Sequence, residues 1–399
     1  MQNDTLPKML KKQFESHGPR LVAMRKKERG IWKPYTWESY YSHVKNLCLG
    51  LMRLGMAKND AIVVIGDNGP ELFWAELGIQ SANAKPALIG THFSAETIEA
   101  IIQDLQAPLI IIQDAKVENK LRKIRSRISC VKKTIYFDSA DIPRSDDSWY
   151  LSMSELVEMG RDYAIGHPLV FEKAVNETKE KDICALLYGS ETRPLRSHTV
   201  LTHENLIKGV GAFLVAGGPS ISDDYLAVMP ATSFWEQNLA LGASLLSGCK
   251  VNFCEKAETA KRDICEISPH FICCPPELLE SLLRCIKENF QRSGTLIKFI
   301  YNLFLPSRLR VIKSLQERKD SKAPGRLRWW LGDVLLFRHV KRRVGLRRAK
   351  SIYTYGSSIN SEAMEFLLGL GIPVKELYLS PGNRIGLVEG NGRGDQGAR

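Results

Sequence analysis

Short runs of apolar, mostly β-branched residues recur in the first part of the chain, each separated from the next by a helical pattern. The runs lie at residues 61–65, 87–89, 109–112 and 134–137. Continuous apolar strands of this kind are typical of a parallel sheet that is buried on both faces. With helices between them, the runs predict an α/β fold in which right-handed crossovers build a doubly wound sheet.

The helical segments between these strands support the same architecture. Residues 70–82 begin with Pro70 and Glu71, which suit a first helical turn, and they carry an apolar stripe; residues 95–106 repeat the pattern. A second series of apolar runs follows at 183–187, 225–229, 250–253, 271–273, 351–355 and 374–378, with helical stretches such as 277–290 and 361–370. The sequence therefore predicts two doubly wound subdomains in tandem.

The subdomain boundary is predicted in a polar, turn-rich stretch that follows the first series of strands. We place the first subdomain at residues 1–150 and the second at 151–380. Residues 381–399 are rich in Gly, Asn and Arg and have little to bury, so a disordered tail is predicted there.

The composition fits a folded protein without a membrane span or a zinc site. Of the 399 residues, 44% are hydrophobic, and no run approaches the roughly 20 apolar residues that a spanning helix needs. A cytoplasmic location is therefore expected. The nine cysteines form no CxxC pair or zinc-ligand spacing, so we expect reduced thiols, mostly in the core, and no metal site built from them.

Positive charge is concentrated in one segment, residues 308–350. This segment holds 15 Lys and Arg against 3 Asp and Glu, a difference as large as the net charge of +12 of the whole chain. It also contains the aromatic side chains of Trp329, Trp330 and Phe337. A solvated basic hairpin and peripheral contact with an anionic membrane are the two main interpretations. A nucleic-acid patch is the third, and we expect no nucleic-acid partner.

Several segments carry a specific resemblance when they are taken together. A loop at 188–198 follows the strand 183–187, and a helix is predicted to begin near 202–205. Residues 327–339 combine basic and aromatic side chains and precede Tyr-Thr-Tyr-Gly-Ser-Ser-Ile-Asn at 353–360. With the segments 66–77, 229–237 and 274–280, this order resembles AMP-forming long-chain fatty acyl-CoA synthetases, members of the adenylate-forming enzymes.

The resemblance covers roughly residues 5 to 380. It implies the N-terminal domain of an adenylate-forming enzyme with the small C-terminal domain absent, because the chain ends before the family's ribose-binding aspartate, hinge and catalytic lysine. It also implies that a fatty acid is activated by ATP to an acyl-adenylate and then transferred to coenzyme A, with Mg²⁺ as a cofactor. These properties are expectations from the family.

The resemblance also implies a set of nucleotide-binding residues. Tyr188, Ser190 and Thr192 match the loop that holds the ATP phosphates in the family. Gly356, Ser357 and Ser358 match positions that border adenine, and Tyr378 matches an aromatic residue near the base. No catalytic residue is assigned.

This sequence departs from the family's pattern in both motifs. Glu191 and Pro194 replace glycines of the phosphate loop, and Ser197 stands where the family has lysine. Pro381 and Gly382 replace a phosphate-binding threonine and a magnesium-binding glutamate, which argues against Mg²⁺. Two hypotheses remain: a fatty acid–CoA ligase, or a catalytically inactive homologue, degenerate or truncated, that binds fatty acid, nucleotide or a membrane surface.

Three further side chains have both a structural and a functional interpretation. His203 lies at a predicted helix start, where a capping or packing role is more common than general-base catalysis. Phe234 and Trp235 fit either a gate of an acyl tunnel or the hydrophobic core.

Overall fold

A computed structural model describes residues 4–137, 147–189, 198–281, 284, 338–356, 359–380 and 384–389. Ser190, Thr192, Ser357 and Ser358, the replacements at 191, 194, 197, 381 and 382, and most of the basic segment lie outside the described residues.

Strands and helices alternate through the described residues. The strands are β1 (Val22–Glu28), β2 (Ile31–Thr36), β3 (Ala61–Ile65), β4 (Lys85–Ile89), β5 (Leu109–Ile112), β6 (Lys133–Tyr136), β7 (Tyr150–Ser152), β8 (Ile183–Tyr188), β9 (Thr199–Thr202), β10 (Asp224–Ala227), β11 (Lys250–Phe253), β12 (Phe271–Cys273), β13 (Ser351–Tyr355), β14 (Val374–Ser380) and β15 (Arg384–Glu389). The helices are α1 (Leu6–His17), α2 (Trp37–Arg53), α3 (Pro70–Ser81), α4 (Ala95–Leu105), α5 (Ala115–Ile124), α6 (Met153–Gly166), α7 (Val170–Glu177), α8 (His203–Val215), α9 (Phe234–Glu236), α10 (Ser244–Ser247), α11 (Ala260–Ile267), α12 (Arg338–Arg343) and α13 (Ser361–Gly369). A π-helical stretch, Gln237–Ala243, joins α9 to α10, and residues 276–281 are also helical.

The chain divides into two compact units. Unit 1 contains residues 1–222, 229–253 and 382–384, and unit 2 contains residues 223–228, 254–381 and 385–399. The seven-stranded sheet of unit 1 has the order β7-β6-β5-β3-β4-β8-β9. Its strand pairs are parallel except for β8 with β9. The predicted parallel α/β sheet is therefore confirmed.

Helices cover both faces of this sheet. On one face, α4 and α5 pack their apolar residues against β3, β4 and β5 in one buried cluster. On the other side, α3 contacts β3 and β4, and α2 packs between α3 and α6. At the α2–α6 crossing, a Cβ on Gly160 would overlap the Asn46 carbonyl, so the close approach of the two helices requires glycine.

Unit 1 also contains a smaller group of strands, in the order β11-β1-β2. β1 is parallel to β11 and antiparallel to β2. Arg29 and Gly30 both have positive φ in the turn between β1 and β2, as a tight two-residue hairpin turn requires.

Unit 2 is built on strands in the order β15-β14-β13-β12-β10. β10 with β12, β12 with β13 and β13 with β14 pair in parallel. Strand β15 occupies six residues of the segment that was predicted to be disordered. Its Ile385, Leu387 and Val388 are apolar, and two of them are β-branched, so this part of the tail has residues that favour a strand.

The strands predicted in both series are present, and residues 276–281 form the described start of the helix predicted at 277–290. Pairing of β6 with β7 and of β4 with β8 links strands from both sides of the predicted boundary near residue 150, and the division at that point stays a prediction. Among the described cysteines, Cys48, Cys184, Cys249, Cys273 and Cys274 are buried and all are free thiols.

None of the described helices is long and apolar enough to cross a membrane.

Candidate functional site

In unit 2, two predicted site residues lie side by side at the carboxyl ends of neighbouring parallel strands. Tyr355 of β13 is in register with Leu377 of β14, so the next residues along the two strands are Gly356 and Tyr378. The carboxyl ends of parallel strands are the usual ligand-binding edge of an α/β sheet. The sequence prediction placed both residues near adenine, and the structure brings these two together.

The described part of this edge is open around Gly356. Gly356 has φ of +87°, and no atom of the described residues lies within 4 Å of the point where a Cβ would stand. Its conformation and its open surroundings both suit glycine. The Tyr378 side chain is 48% exposed, so its ring is available for stacking.

In unit 1, Tyr188 is the last residue of strand β8 and the first residue of the predicted phosphate loop. Its side chain is only 3% exposed and belongs to the hydrophobic cluster beneath the sheet. Its ring centroid lies 5.0 Å from that of His198. Burial, with a smaller contribution from Asp104, raises the pKa of Tyr188 to about 12, so the hydroxyl stays protonated. Tyr188 therefore packs at the base of the loop.

The described residues offer no obvious place for a metal ion. Within the described ranges, no three His, Cys, Asp or Glu side chains are grouped as metal ligands. Positions 381 and 382, which the resemblance connects with phosphate and Mg²⁺, lie outside the described residues, and we assign no step to this ion.

His203 has a structural role that its position in the sequence suggested. It is 1% exposed, and its Nδ1 accepts a hydrogen bond of 3.2 Å from the backbone N–H of Leu6 at the start of α1. Burial lowers the pKa of His203 to about 3, so the ring is neutral at physiological pH. The contact ties α1 to the start of α8, whose cap is Thr202.

Phe234 and Trp235 are both buried. Their ring centroids are 5.3 Å apart in an edge-to-face arrangement, and Ser233 caps the short helix that carries them. This burial agrees with a core role. The alternative role as an acyl gate stays a prediction.

A group of buried polar side chains in unit 1 was not predicted from the sequence. Glu76 of α3 is fully buried, and Gln80 and Gln237 each donate a hydrogen bond to its carboxyl group. Burial raises the pKa of Glu76 to about 8. The sequence did contain an indication of this burial. Helix α3 is apolar on nearly all sides, so the one carboxyl side chain in the middle of the helix has to be buried.

A second unpredicted contact lies next to the same helix. Asn68 follows β3 and donates from Nδ2 to the Met229 carbonyl at 2.5 Å and to Glu236 Oε1 at 2.6 Å. Glu236 is fully buried. Asn68 therefore fixes the start of the segment that carries Phe234 and Trp235.

Comparison with known proteins places these features in a family. The sequence matches the AMP-binding enzymes over residues 10–378. The long-chain-fatty-acid–CoA ligase ACSBG2 of Xenopus laevis is 20% identical over 365 residues, which cover 90% of this chain and 48% of the relative. The ACSBG2 ligase of Homo sapiens is 22% identical over 382 residues, which cover 94% and 55%. The chain thus spans about half the length of the curated relatives it matches.

Solved structures share the fold. The inhibitor-bound N-terminal domain of FACL13 from Mycobacterium tuberculosis has a TM-score of 0.64 at 17% identity, covering 94% of this chain and 76% of that one. The long-chain-fatty-acid-CoA ligase FadD1 from Archaeoglobus fulgidus has a TM-score of 0.64 at 14% identity, covering 94% and 64%. These similarities confirm the predicted fold class and the predicted resemblance. Since the family match extends over most of the residues of this chain, the chain belongs to the AMP-binding enzyme family.

Proposed function

We propose that this protein takes part in the ATP-dependent activation of a long-chain fatty acid to its coenzyme A thioester. The observation that carries the proposal is the placement of Gly356 beside Tyr378 at the carboxyl ends of β13 and β14. The names of the curated relatives, which are long-chain-fatty-acid–CoA ligases, support the choice of substrate.

In this proposal, the two residues of unit 2 hold the adenine ring. Gly356 lets the base approach the backbone because no side chain of the described part of the chain lies within 4 Å of its Cβ position. The exposed ring of Tyr378 stacks on the base, and Ser357 and Ser358 border it as the family resemblance implies. Bound ATP supplies the α-phosphate that the fatty carboxylate attacks, with pyrophosphate as the leaving group, and coenzyme A then displaces AMP.

A second candidate function is binding without turnover, and the phosphate loop favours it. Glu191 brings a negative charge to a loop that holds phosphates in the family, while Ser197 lacks the charge of the family's lysine. Two like charges about 4 Å apart repel by about 4 kcal/mol at an effective dielectric constant of about 20. Under this alternative, Ser190 and Thr192 contact the phosphates too weakly to support catalysis.

The first experiment is titration calorimetry of the purified chain with ATP and Mg²⁺, with and without a long-chain fatty acid. Micromolar binding is expected, and Tyr378→Ala should weaken it because the stacking face is lost. Tyr163→Ala, a change in unit 1 at a tyrosine that stacks on His167, should leave binding unchanged.

Pyrophosphate release then separates the two candidates. Release that depends on fatty acid supports the ligase, whereas tight nucleotide binding without release supports the inactive homologue. If a folded sample gives no heat with ATP, neither nucleotide-dependent function holds.

We also propose that the basic segment 308–350 contacts an anionic membrane surface. Within its described part, Arg342, Arg343 and Arg347 are exposed, whereas Arg348 and Lys350 pair with Asp224 and Asp223. The arginines outside these two ion pairs are the ones able to meet lipid phosphates.

Sedimentation with vesicles tests this membrane proposal. Binding to phosphatidylserine vesicles should exceed binding to phosphatidylcholine vesicles and should fall when Arg342→Glu and Arg343→Glu are combined. Lys58→Glu with Lys181→Glu makes the same charge change on exposed lysines of unit 1 and should have little effect. If both double variants lose vesicle binding equally, the net charge of the chain, and not the segment 308–350, accounts for the binding.

A further inference from the structure

Glu76 is a carboxyl group in the interior of unit 1 to which the proposed function gives no role. It lies in the middle of α3 and is fully buried. Its helix neighbours from Leu72 to Ser81 are buried as well, so water has no direct path to the carboxyl along α3. A carboxylate in such a place is costly unless a cation or several donors compensate it.

The hydrogen-bond partners of Glu76 are two neutral amides. Gln80 Nε2 lies 3.2 Å from Glu76 Oε1, and Gln237 Nε2 lies 3.2 Å from Glu76 Oε2. Each of these nitrogens also donates to a backbone carbonyl at a shorter distance. Gln80 Nε2 lies 2.8 Å from the Cys184 carbonyl oxygen, and Gln237 Nε2 lies 2.9 Å from the Ala231 carbonyl oxygen. For both glutamines, the hydrogen bond to Glu76 is therefore longer than the hydrogen bond to the backbone carbonyl. Both donors are uncharged.

The same cluster contains buried acceptors that have no donor. The side-chain oxygens of Gln80 and Gln237 are buried, and neither has a hydrogen-bond partner among the described residues. The Tyr40 hydroxyl, which can donate or accept, is also buried without a partner among those residues. A proton on Glu76 would add a second O–H donor to this cluster.

The titratable groups that face Glu76 offer no positive charge. Tyr40 on α2 and Cys184 on β8 have pKa values raised by burial and, to a smaller extent, by Glu76 itself. His43 on α2 stacks on Trp74, and burial lowers its pKa, so its ring is neutral. Cys48, also on α2, is buried with a raised pKa.

The charged groups on the other elements packed against α3 have partners elsewhere or lie at the edge. Lys26 on β1 pairs with Glu71, and Lys11 on α1 pairs with Glu172 on α7. Lys27 on β1 lies over the Trp32 ring, and Lys85 begins β4 in a half-buried position. Glu236, next to Gln237, accepts from Asn68. No described Lys, Arg or His forms an ion pair with Glu76.

We propose that Glu76 is a proton-binding site built into the fold, which keeps its proton at neutral pH and releases it to solvent in mildly alkaline solution. Release leaves an uncompensated negative charge where α3, β8 and the π-helical stretch 237–243 meet, and it weakens their packing. The device is independent of nucleotide or fatty acid binding. Burial raises the pKa of Glu76 from its ordinary 4.5 to about 8, which agrees with this assignment.

Urea unfolding of the full chain as a function of pH tests the proposal. The folded chain holds the proton more tightly than the unfolded chain, so the stabilisation is fully present below about pH 4.5 and is lost as the pH rises to about 8. Over that interval the folding constant of the wild type should fall about tenfold per pH unit relative to Glu76→Gln, which stays neutral. Glu96→Gln, an exposed glutamate whose pKa is lowered, should keep the wild-type slope.

Infrared spectroscopy detects the proton directly. At neutral pH the wild type should show the carbonyl stretch of a buried carboxylic acid, which Glu76→Gln lacks and which fades with a midpoint near pH 8. If Glu76→Gln does not fold, Glu76→Met serves as the reference spectrum. Absence of the band at neutral pH, or identical pH slopes for the wild type and Glu76→Gln, would overturn the proposal.

Discussion

Unit 1 and unit 2 both bury acidic side chains, but they compensate the charge by different means. In unit 1, Glu76 has only neutral amide partners. In unit 2, Asp223 and Asp224 are nearly as buried, yet Lys350 Nζ lies 2.6 Å from Asp223 and Arg348 Nη2 lies 2.9 Å from Asp224. The first arrangement depends on a proton and the second on two cations.

The two units also differ in the surroundings of one histidine each. His203 in unit 1 is neutral and accepts from Leu6. His270 in unit 2 is also held neutral, since burial and the nearby Arg348 lower its pKa, and its Nδ1 accepts from the Asp224 backbone N–H at 2.9 Å. However, His270 lies within an ion-paired network, whereas Glu76 has only uncharged hydrogen-bond partners. We therefore expect a change of pH to lower the stability of unit 1 more than that of unit 2. Removal of a basic side chain should instead lower mainly the stability of unit 2.

The largest effect is expected from acid, acting through His203. The pKa of His203 falls from 6.5 to about 3 on folding. Between these two pH values the unfolded chain binds a proton on His203 and the folded chain does not. The corresponding stability is present above pH 6.5 and is lost as the pH falls toward 3. The loss reaches about 3 kcal/mol near a pH of about 4. His203→Asn keeps an acceptor for Leu6 and should remove this loss in urea unfolding.

The control for this prediction is the exposed His167, whose Nδ1 lies beside the Tyr163 carbonyl. His167→Asn should retain the acid sensitivity of the wild type. If His203→Asn retains it as well, acid unfolding begins elsewhere and the comparison between the units loses its main support.

The next effect is expected from removing a cation in unit 2. Arg348→Met takes away the partner of Asp224 and two further hydrogen bonds, to the carbonyls of Ile267 and Ser268. Stability should fall by about 2 to 3 kcal/mol, less than for a fully buried pair because the arginine itself is partly exposed. Thermal unfolding checks this, and Arg347→Met, an adjacent exposed arginine, is the matched control. A loss of similar size in both variants would contradict a specific role for the ion pair.

Much of the fold was predictable because the buried parallel strands leave a clear mark in the sequence. The run 109–112 is apolar at each position, and its strand has the predicted bounds. The hairpin of β1 and β2 was not predicted, because β2 is exposed or half-buried throughout and carries no clear apolar pattern. In residues 381–399 the prediction rested on overall composition, and it therefore did not detect the strand Arg384–Glu389.

The candidate site was predictable only where a family motif marks it. The resemblance selected Gly356 and Tyr378, and the parallel register then explains why residues so far apart in sequence are neighbours. Glu76 could not be assigned in this way. Its burial depends on α2, β8 and the segment at Gln237 closing around α3, and its partners Gln80 and Gln237 are separated along the chain by most of unit 1.

The smallest effect is expected from Gln80, and it sharpens the comparison most. Gln80→Met removes a donor from both Glu76 and the Cys184 carbonyl, which should cost about 1 to 2 kcal/mol. Because the donor matters more to a carboxylate than to a carboxylic acid, the loss should be larger above pH 8 than below it. Gln103→Met removes a similar bond, to the Arg127 carbonyl, at an exposed site and should cost less than about 0.5 kcal/mol. A Gln80→Met loss that is the same at each pH would mean that Glu76 does not change its charge there, and unit 1 would then resemble unit 2 in its response.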